Sequence, residues 1–442
     1  MIIKFLQRRL NFIIGLIFIV ILGFIQNSTI TIGYYMILFI LEIIYLIKGK
    51  TDVVIEQCVL SIPLLGITVS YGIPLSNIYI SILTLYLIFI DKSVNFNRRK
   101  IQILLMIIFF DLLRCLIFSA LKMSASAIIG VPILYLCILC GFTVFEGRTY
   151  FELKTFMINF IEGTILSIIY GFMVRFIEGG FESALVNTSI INRNEGASGD
   201  PNYYGLYICI SIAFIILMMF LEKKYSIKRF ALIFLMIFMG MSSSSRMFYM
   251  IASIEIIILL FFMVSRIFNR DWIKIILIFT ILIFTIYYCN DIILKNIEYV
   301  FSRLDTNDLS ELTNGRNDLV KMYMDFMNND IFKMLFGFGI AQYNIRSGIL
   351  AYAHNAYIEL YIAVGWIGIM VITTSIIYFF IKSLRFKNFK HINLILIIPL
   401  IIIMLGGMGV NILEVDCFYL LLGLTYAIMN MDTRNGGEIL YE

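Results

Sequence analysis

Apolar runs of about 15–25 residues recur from one end of this chain to the other, and the charged residues gather between them. A helix crossing the roughly 30 Å hydrocarbon core of a bilayer needs about 20 such residues. A protein built from one run after another has too little polar surface for water. The composition agrees: 61% of the residues are hydrophobic and 14% are charged, where a soluble domain carries about a quarter charged. The chain therefore reads as all-α, a polytopic transmembrane helical bundle, and a soluble fold of one to three domains is excluded.

Fourteen runs qualify as spans, at 10–25, 30–47, 53–73, 75–90, 101–121, 124–145, 155–177, 203–221, 229–241, 247–265, 272–289, 355–380, 392–410 and 413–430; the fourth and ninth are short. The first follows Lys4, Arg8 and Arg9 with no small-residue cleavage site behind it, and reads as a retained span. With the N-terminus in the cytoplasm, the alternate segments on that side collect 23 lysines and arginines. The short segments on the other side hold three, Lys122, Arg193 and Arg246. Such a bias is what the positive-inside rule requires, and it puts both termini in the cytoplasm. Residues 290–354 form one long outer connection whose six basic residues escape the rule, because long loops translocate regardless of charge. The expected organisation is spans 1–11 over 1–289, with a small outer loop near 178–202. The large extracytoplasmic loop follows at 290–354, with short amphipathic helices, then spans 12–14 and a short tail over 355–442.

Several function classes fall away. Two histidines in the whole chain cannot make a histidine-rich metal centre, and no outer loop sets Asp or Glu beside His at metal spacing. Most of the seven cysteines lie inside apolar runs; Cys137 and Cys140 read there as packing residues, not a redox or zinc pair. Gly337-Phe338-Gly339 follows no strand and is no dinucleotide fingerprint. The net charge of +5 marks membrane-facing loops, so no nucleic-acid partner is expected, and no cofactor either. Asp111 and Arg114, three residues apart in the fifth span, read as a self-neutralising pair facing the bundle.

What remains is an outer-face set. The loop 187–204 carries Arg193 and then Asp200-Pro201-Asn202-Tyr203. The ninth span ends on a serine run and Arg246. The large loop holds Gly315-Arg316, with apolar residues at helical spacing behind it, so Arg316 is expected to open an amphipathic helix. Gly337-Phe338-Gly339 and His354-Asn355-Ala356-Tyr357 follow, leading into the twelfth span. Arg175, about one turn from the outer end of the seventh span, adds to the arginines. Guanidinium groups stay charged and offer forked donors to phosphate oxygens. A histidine can take the proton of an attacking hydroxyl. Together they suit a phosphate-bearing, lipid-anchored sugar.

At these residues the chain resembles the bacterial O-antigen ligase and O-antigen or capsular polysaccharide polymerase (Wzy-like) superfamily, over roughly 190–370. The matching pieces are Arg193…Asp200-Pro201-Asn202, Ser245-Arg246, Gly315-Arg316…Gly337-Phe338-Gly339…His354-Asn355-Ala356-Tyr357 and Gly365-Trp366-Ile367-Gly368. The family's aromatic behind the Gly-Arg pair is missing; Leu319 and Val320 stand there. The resemblance implies a metal-independent glycosyltransferase of the bacterial inner (plasma) membrane, working on undecaprenyl-diphosphate-linked glycan at the outer leaflet. It implies His354 as the base that activates the acceptor, with Arg246 and Arg316 at the diphosphate. Arg193, Asn202, Tyr203, Asn355, Tyr357 and Arg175 are the expected substrate contacts. Partners are then the undecaprenyl-diphosphate-linked oligosaccharide, membrane lipid, a chain-length regulator and a flippase. A polymerase reading leads, with a ligase and a lipid-linked oligosaccharide flippase still open. The flippase is disfavoured because the irregular charged mass lies in one outer loop, not along a central cavity.

Overall fold

The structure, a computed structural model, describes residues 2–25, 28–70, 73–91, 98–118, 125–186, 193–222, 226–267, 280, 287–302, 316–339, 355–384, 395–412 and 418–429. Helices dominate: α1 (Ile2–Ile25), α2 (Ser28–Ile47), α3 (Thr51–Ser61), α4 (Leu75–Tyr86), α5 (Arg98–Phe118), α6 (Ala125–Val144), α7 (Tyr150–Leu185), α8 (Pro201–Leu221), α9 (Ile227–Met241) and α10 (Arg246–Ile267). After them come α11 (Asn290–Ser302), α12 (Arg316–Asn328), α13 (Ile331–Phe336), α14 (Ala356–Leu384), α15 (Ile398–Gly406) and α16 (Phe418–Met429). The only strand pairing among the described residues is two residues long, Val69–Ser70 against Ile73–Pro74.

Among the described residues three helices are long and apolar enough to cross a membrane, Tyr150–Leu185, Pro201–Leu221 and Ala356–Thr374. Other apolar helical stretches, such as Phe12–Ile25 and Val131–Val144, are shorter. Nearly all of the expected span at 272–289 lies outside the described residues.

α8 occupies the centre. It is apolar on every side, and every residue from Tyr204 to Met219 is buried, because α7, α9, α10 and α15 all pack on it. A helix without a polar face must be surrounded by protein or by lipid, and here it is protein that surrounds it. Phe160 of α7 meets Tyr207 and Phe214 edge-on, at 6.0 and 5.7 Å between ring centres. α6 and α16 cross at glycines: a Cβ on Gly423 would lie 1.7 Å from the Gly141 carbonyl oxygen, so only small residues permit this approach.

Helix starts follow the sequence's capping signals. Thr149 and Glu152 form a reciprocal capping box at α7. Asp200, before Pro201, accepts from the backbone N–H of Asn202 and Tyr203 at 2.6 and 3.2 Å to start α8. Ion pairs fasten the start of α7 and the end of α8, on the side read as cytoplasmic: Arg148 with Asp52 at 2.7 Å, and Lys154 and Arg229 with Glu222 at 2.6 and 2.5 Å.

One expected span needs correction. The run 53–73 is not one helix: α3 stops at Ser61, a tighter turn covers Ile62–Thr68, and the strand pair begins at Val69. Pro63 cannot donate the N–H that a continuing helix requires. The unwound stretch docks on the 196–199 turn instead, Ile67 N–H donating to the Ala197 carbonyl at 3.2 Å, and Gly66 abuts Ser198 and Gly199. α7 runs beyond the expected 177 but breaks at Gly179 and Gly180, where the outer loop was expected to begin.

Candidate functional site at the meeting of three helix starts

The N-terminal ends of α8, α10 and α14 come together at one end of the bundle. The first corner joins the 193–202 loop to the serine turn before α10. Arg193 Nε donates to the Ser243 carbonyl at 2.9 Å, and its Nη2 reaches Asn202 Oδ1 at 3.3 Å. Ser245 Oγ donates to the same Asn202 oxygen at 2.8 Å. Asn194, buried beneath, ties its backbone N–H to the Ser242 carbonyl and its side-chain amide to Ser242 Oγ. Ser242, Ser243, Ser244 and Ser245 are all buried. Ser244 has φ +45°, the only non-glycine with positive φ among the described residues. Strain of that kind persists where surrounding contacts over-determine the backbone, and the hydrogen bonds just named supply them. Arg246 opens α10 straight after this turn with a half-buried side chain. Glu195 sits next to the corner; burial raises its carboxyl above the ordinary range, the Asp200 charge adds to that and Arg193 opposes it.

The second corner is the turn after α15. Tyr203 OH donates to the Asn411 carbonyl at 2.6 Å, Ala356 N–H to the Gly407 carbonyl at 2.8 Å and Tyr357 OH to the Met404 carbonyl at 2.6 Å. Asn355 caps α14, its Oδ1 accepting from the N–H of Tyr357 and Ile358 at 2.9 and 3.3 Å. Tyr203 therefore links the start of α8, through residues 404–411, to the start of α14.

The large loop reaches α14 from its other side. α14 is broken at Gly365 (φ +64°), which frees the carbonyls of Ile362 and Ala363. The N–H groups of Phe338 and Gly339 take them, each at 2.8 Å. Gly337 (φ +69°) and Gly365 lie backbone to backbone: a Cβ on either would come within 2.6 Å of the other's nitrogen. Only glycine satisfies both the positive φ and that approach. Phe338 fills a cluster with Tyr323, Met327, Tyr361 and Ile362, which seats α12 and α13 on α14.

Of the residues singled out from the sequence, Arg193, Asn202 and the Ser245-Arg246 corner are thus brought together, and Tyr203, Asn355 and Tyr357 meet around the 404–411 turn. Arg175 is buried at the top of α7, where Nη2 donates to the Val186 carbonyl at 2.8 Å. Its Nη1 has no hydrogen-bond partner among the described residues. The helix expected behind Gly315 does open at Arg316, but the Arg316 side chain and all of His354 lie outside the described residues. Sequence reasoning passed over Asn194 and Asn411. Asn411 is 4% exposed, and neither polar atom of its side chain has a partner among the described residues; its place after a glycine-rich turn was the available signal.

No curated protein and no solved structure matches the chain. A family model does: residues 231–373, running from α9 through the serine turn and the large loop into α14, match the one described as O-antigen ligase (Wzy_C), of the O-antigen ligase and polymerase superfamily.

Proposed function

We propose that this protein is a surface polysaccharide polymerase of the O-antigen or capsule type, transferring a growing glycan from undecaprenyl diphosphate to a sugar hydroxyl of another lipid-linked repeat unit on the outer leaflet. The observation that carries this reading is the corner where Arg193 and the turn leading to Arg246 are held about Asn202, beside three helix N-termini. The positive ends of their dipoles favour anions there, and arginines match phosphate oxygens with forked donors. In the proposed step, His354 accepts the proton of the acceptor hydroxyl while that oxygen bonds to the anomeric carbon. The bond from that carbon to the diphosphate oxygen breaks, and its electron pair leaves on undecaprenyl diphosphate. Arg246 and Arg316, with Arg193, neutralise the departing charge, so no separate acid is needed. Asn202, Tyr203, Asn355, Tyr357 and Arg175 hold the sugars and the lipid diphosphate. A flippase supplies the substrate and a chain-length regulator sets when growth stops.

The description of the matched family favours a second reading, a ligase that moves finished glycan to another acceptor. A deletion strain separates them. Single lipid-linked units on the outer leaflet support the polymerase, long unattached chains the ligase, and units retained inside a flippase. His354→Ala should lower chain growth about a hundredfold or more, the usual loss with a general base, at unchanged membrane abundance. Unaltered polymer length in that variant rejects His354 as the base. Purified protein given synthetic lipid-linked units without added metal should yield a product ladder.

A further inference from the structure

Asp111 and Arg114 do form the ion pair that their spacing implies, Arg114 Nη2 lying 2.5 Å from Asp111 Oδ1, with Asp111 fully buried. The pair does more than cancel its own charge. Arg114 Nη1 donates to the carbonyl of Phe336 at 2.5 Å, far along the chain at the last residue of α13. The next N–H groups but one, those of Phe338 and Gly339, hold the first half of α14 through Ile362 and Ala363. That half-helix begins next to Asn355, whose neighbour is His354. α5 otherwise turns apolar side chains such as Leu105, Phe109 and Ile117 outwards, so an arginine bonded to the outer loop stands apart from the rest of the helix.

We propose that Asp111 and Arg114 are a positioning pair for the transfer reaction. Asp111 orients the guanidinium, and Arg114 clamps the end of α13, fixing the Gly337-Phe338-Gly339 turn on α14 and, through it, the first half of that helix, which follows His354 in the sequence. The reaction half of this inference rests on the polymerase reading; the clamp itself does not. A pair serving charge balance alone needs no bond to Phe336, whereas a clamp needs an N–H donor at position 114. A charged pair inside a span is costly unless fully satisfied, and the Phe336 carbonyl supplies one of those satisfactions.

The test uses the full chain in lipid nanodiscs, reading hydrogen exchange at the Phe338 and Gly339 amides together with glycan transfer from synthetic lipid-linked repeat units. The doubly neutral variant Asp111→Asn/Arg114→Gln keeps a donor at position 114, whereas Asp111→Asn/Arg114→Met removes it and buries no lone charge. The clamp predicts exchange about tenfold faster and kcat about tenfold lower in the Met variant, at little change in KM for the lipid-linked donor, with most of both effects reversed in the Gln variant. The charge swap Asp111→Arg/Arg114→Asp should behave like the Met variant, because a carboxylate cannot donate to Phe336. Wild-type exchange and transfer in the swap, or identical exchange in the Met and Gln variants, overturns the clamp. If the unaltered protein transfers no glycan, the polymerase reading falls, and the exchange comparison then decides the clamp alone.

Discussion

Two regions near the starts of α8, α10 and α14 are built on different principles. The corner joining Arg193, Asn202 and the serine turn is polar, buried and cross-linked by side-chain hydrogen bonds between the starts of α8 and α10. The seat of the large loop on α14 is apolar, made by Tyr323, Met327, Phe338, Tyr361 and Ile362, and aligned by two backbone hydrogen bonds at a helix break. A polar network fixes directions, because each donor has a defined acceptor. An apolar cluster fixes proximity and leaves direction to the backbone contact that accompanies it. The proposed transfer would need both: rigid cations where the diphosphate departs, and a loop brought near enough to deliver the base.

The largest effect should come from the backbone contact. Gly365→Ala puts a methyl group 2.5 Å from the Leu335 carbonyl at a residue with φ +64°, which costs ~2–4 kcal/mol in backbone strain and overlap. The loop should lift from α14 as a unit, seen as lost exchange protection at Phe338 and Gly339 and faster proteolysis within α12 and α13. The Arg193–Asn202 corner should keep its protection. A uniform loss of protection across both regions would show that they are one cooperative unit.

Asn202→Ala attacks the other region with a smaller effect. It removes the oxygen shared by Arg193 and Ser245, at a cost of about 1–2 kcal/mol for one buried and one half-buried donor left partly unsatisfied. The thermal midpoint should fall by a few degrees. If the proposed function holds, glycan transfer should fall much further than stability does, since the corner would then aim the arginines. Equal losses in the two measurements would reduce Asn202 to a structural residue.

The two regions also differ in how far they were legible beforehand. Asp200-Pro201 announced the start of α8 because Asp caps and Pro suits the first turn, and the isolated outer arginines stood out against a strong charge bias. Gly337 and Gly365 were noted as motif residues, yet their mutual contact joins positions 28 apart in the chain, which no local periodicity encodes. The Asp111–Arg114 pair was legible from its spacing, but its reach to Phe336 depends on where α13 docks. The run 53–73 was misread for a related reason. Hydropathy is blind to a proline stop followed by docking on a distant turn, and the run is apolar throughout.

The smallest effect sharpens the contrast at the C-terminal end of α7. There α11 is held by an exposed ion pair, Lys295 with Glu182 at 2.6 Å, and by a buried bond from Asn296 Nδ2 to the Leu185 carbonyl at 2.8 Å. The ion pair draws the eye, yet water and salt screen it and two long side chains must be ordered to make it. Glu182→Ala should leave thermal stability unchanged at any ionic strength. Asn296→Ala leaves the Leu185 carbonyl without that donor and should cost about 1–2 kcal/mol, with α11 exchanging faster against unchanged α8. If Glu182→Ala instead proved the more damaging of the two, this end of the molecule would be held by surface charge, and the distinction between a polar network that directs and a surface contact that merely decorates would fail at its simplest instance.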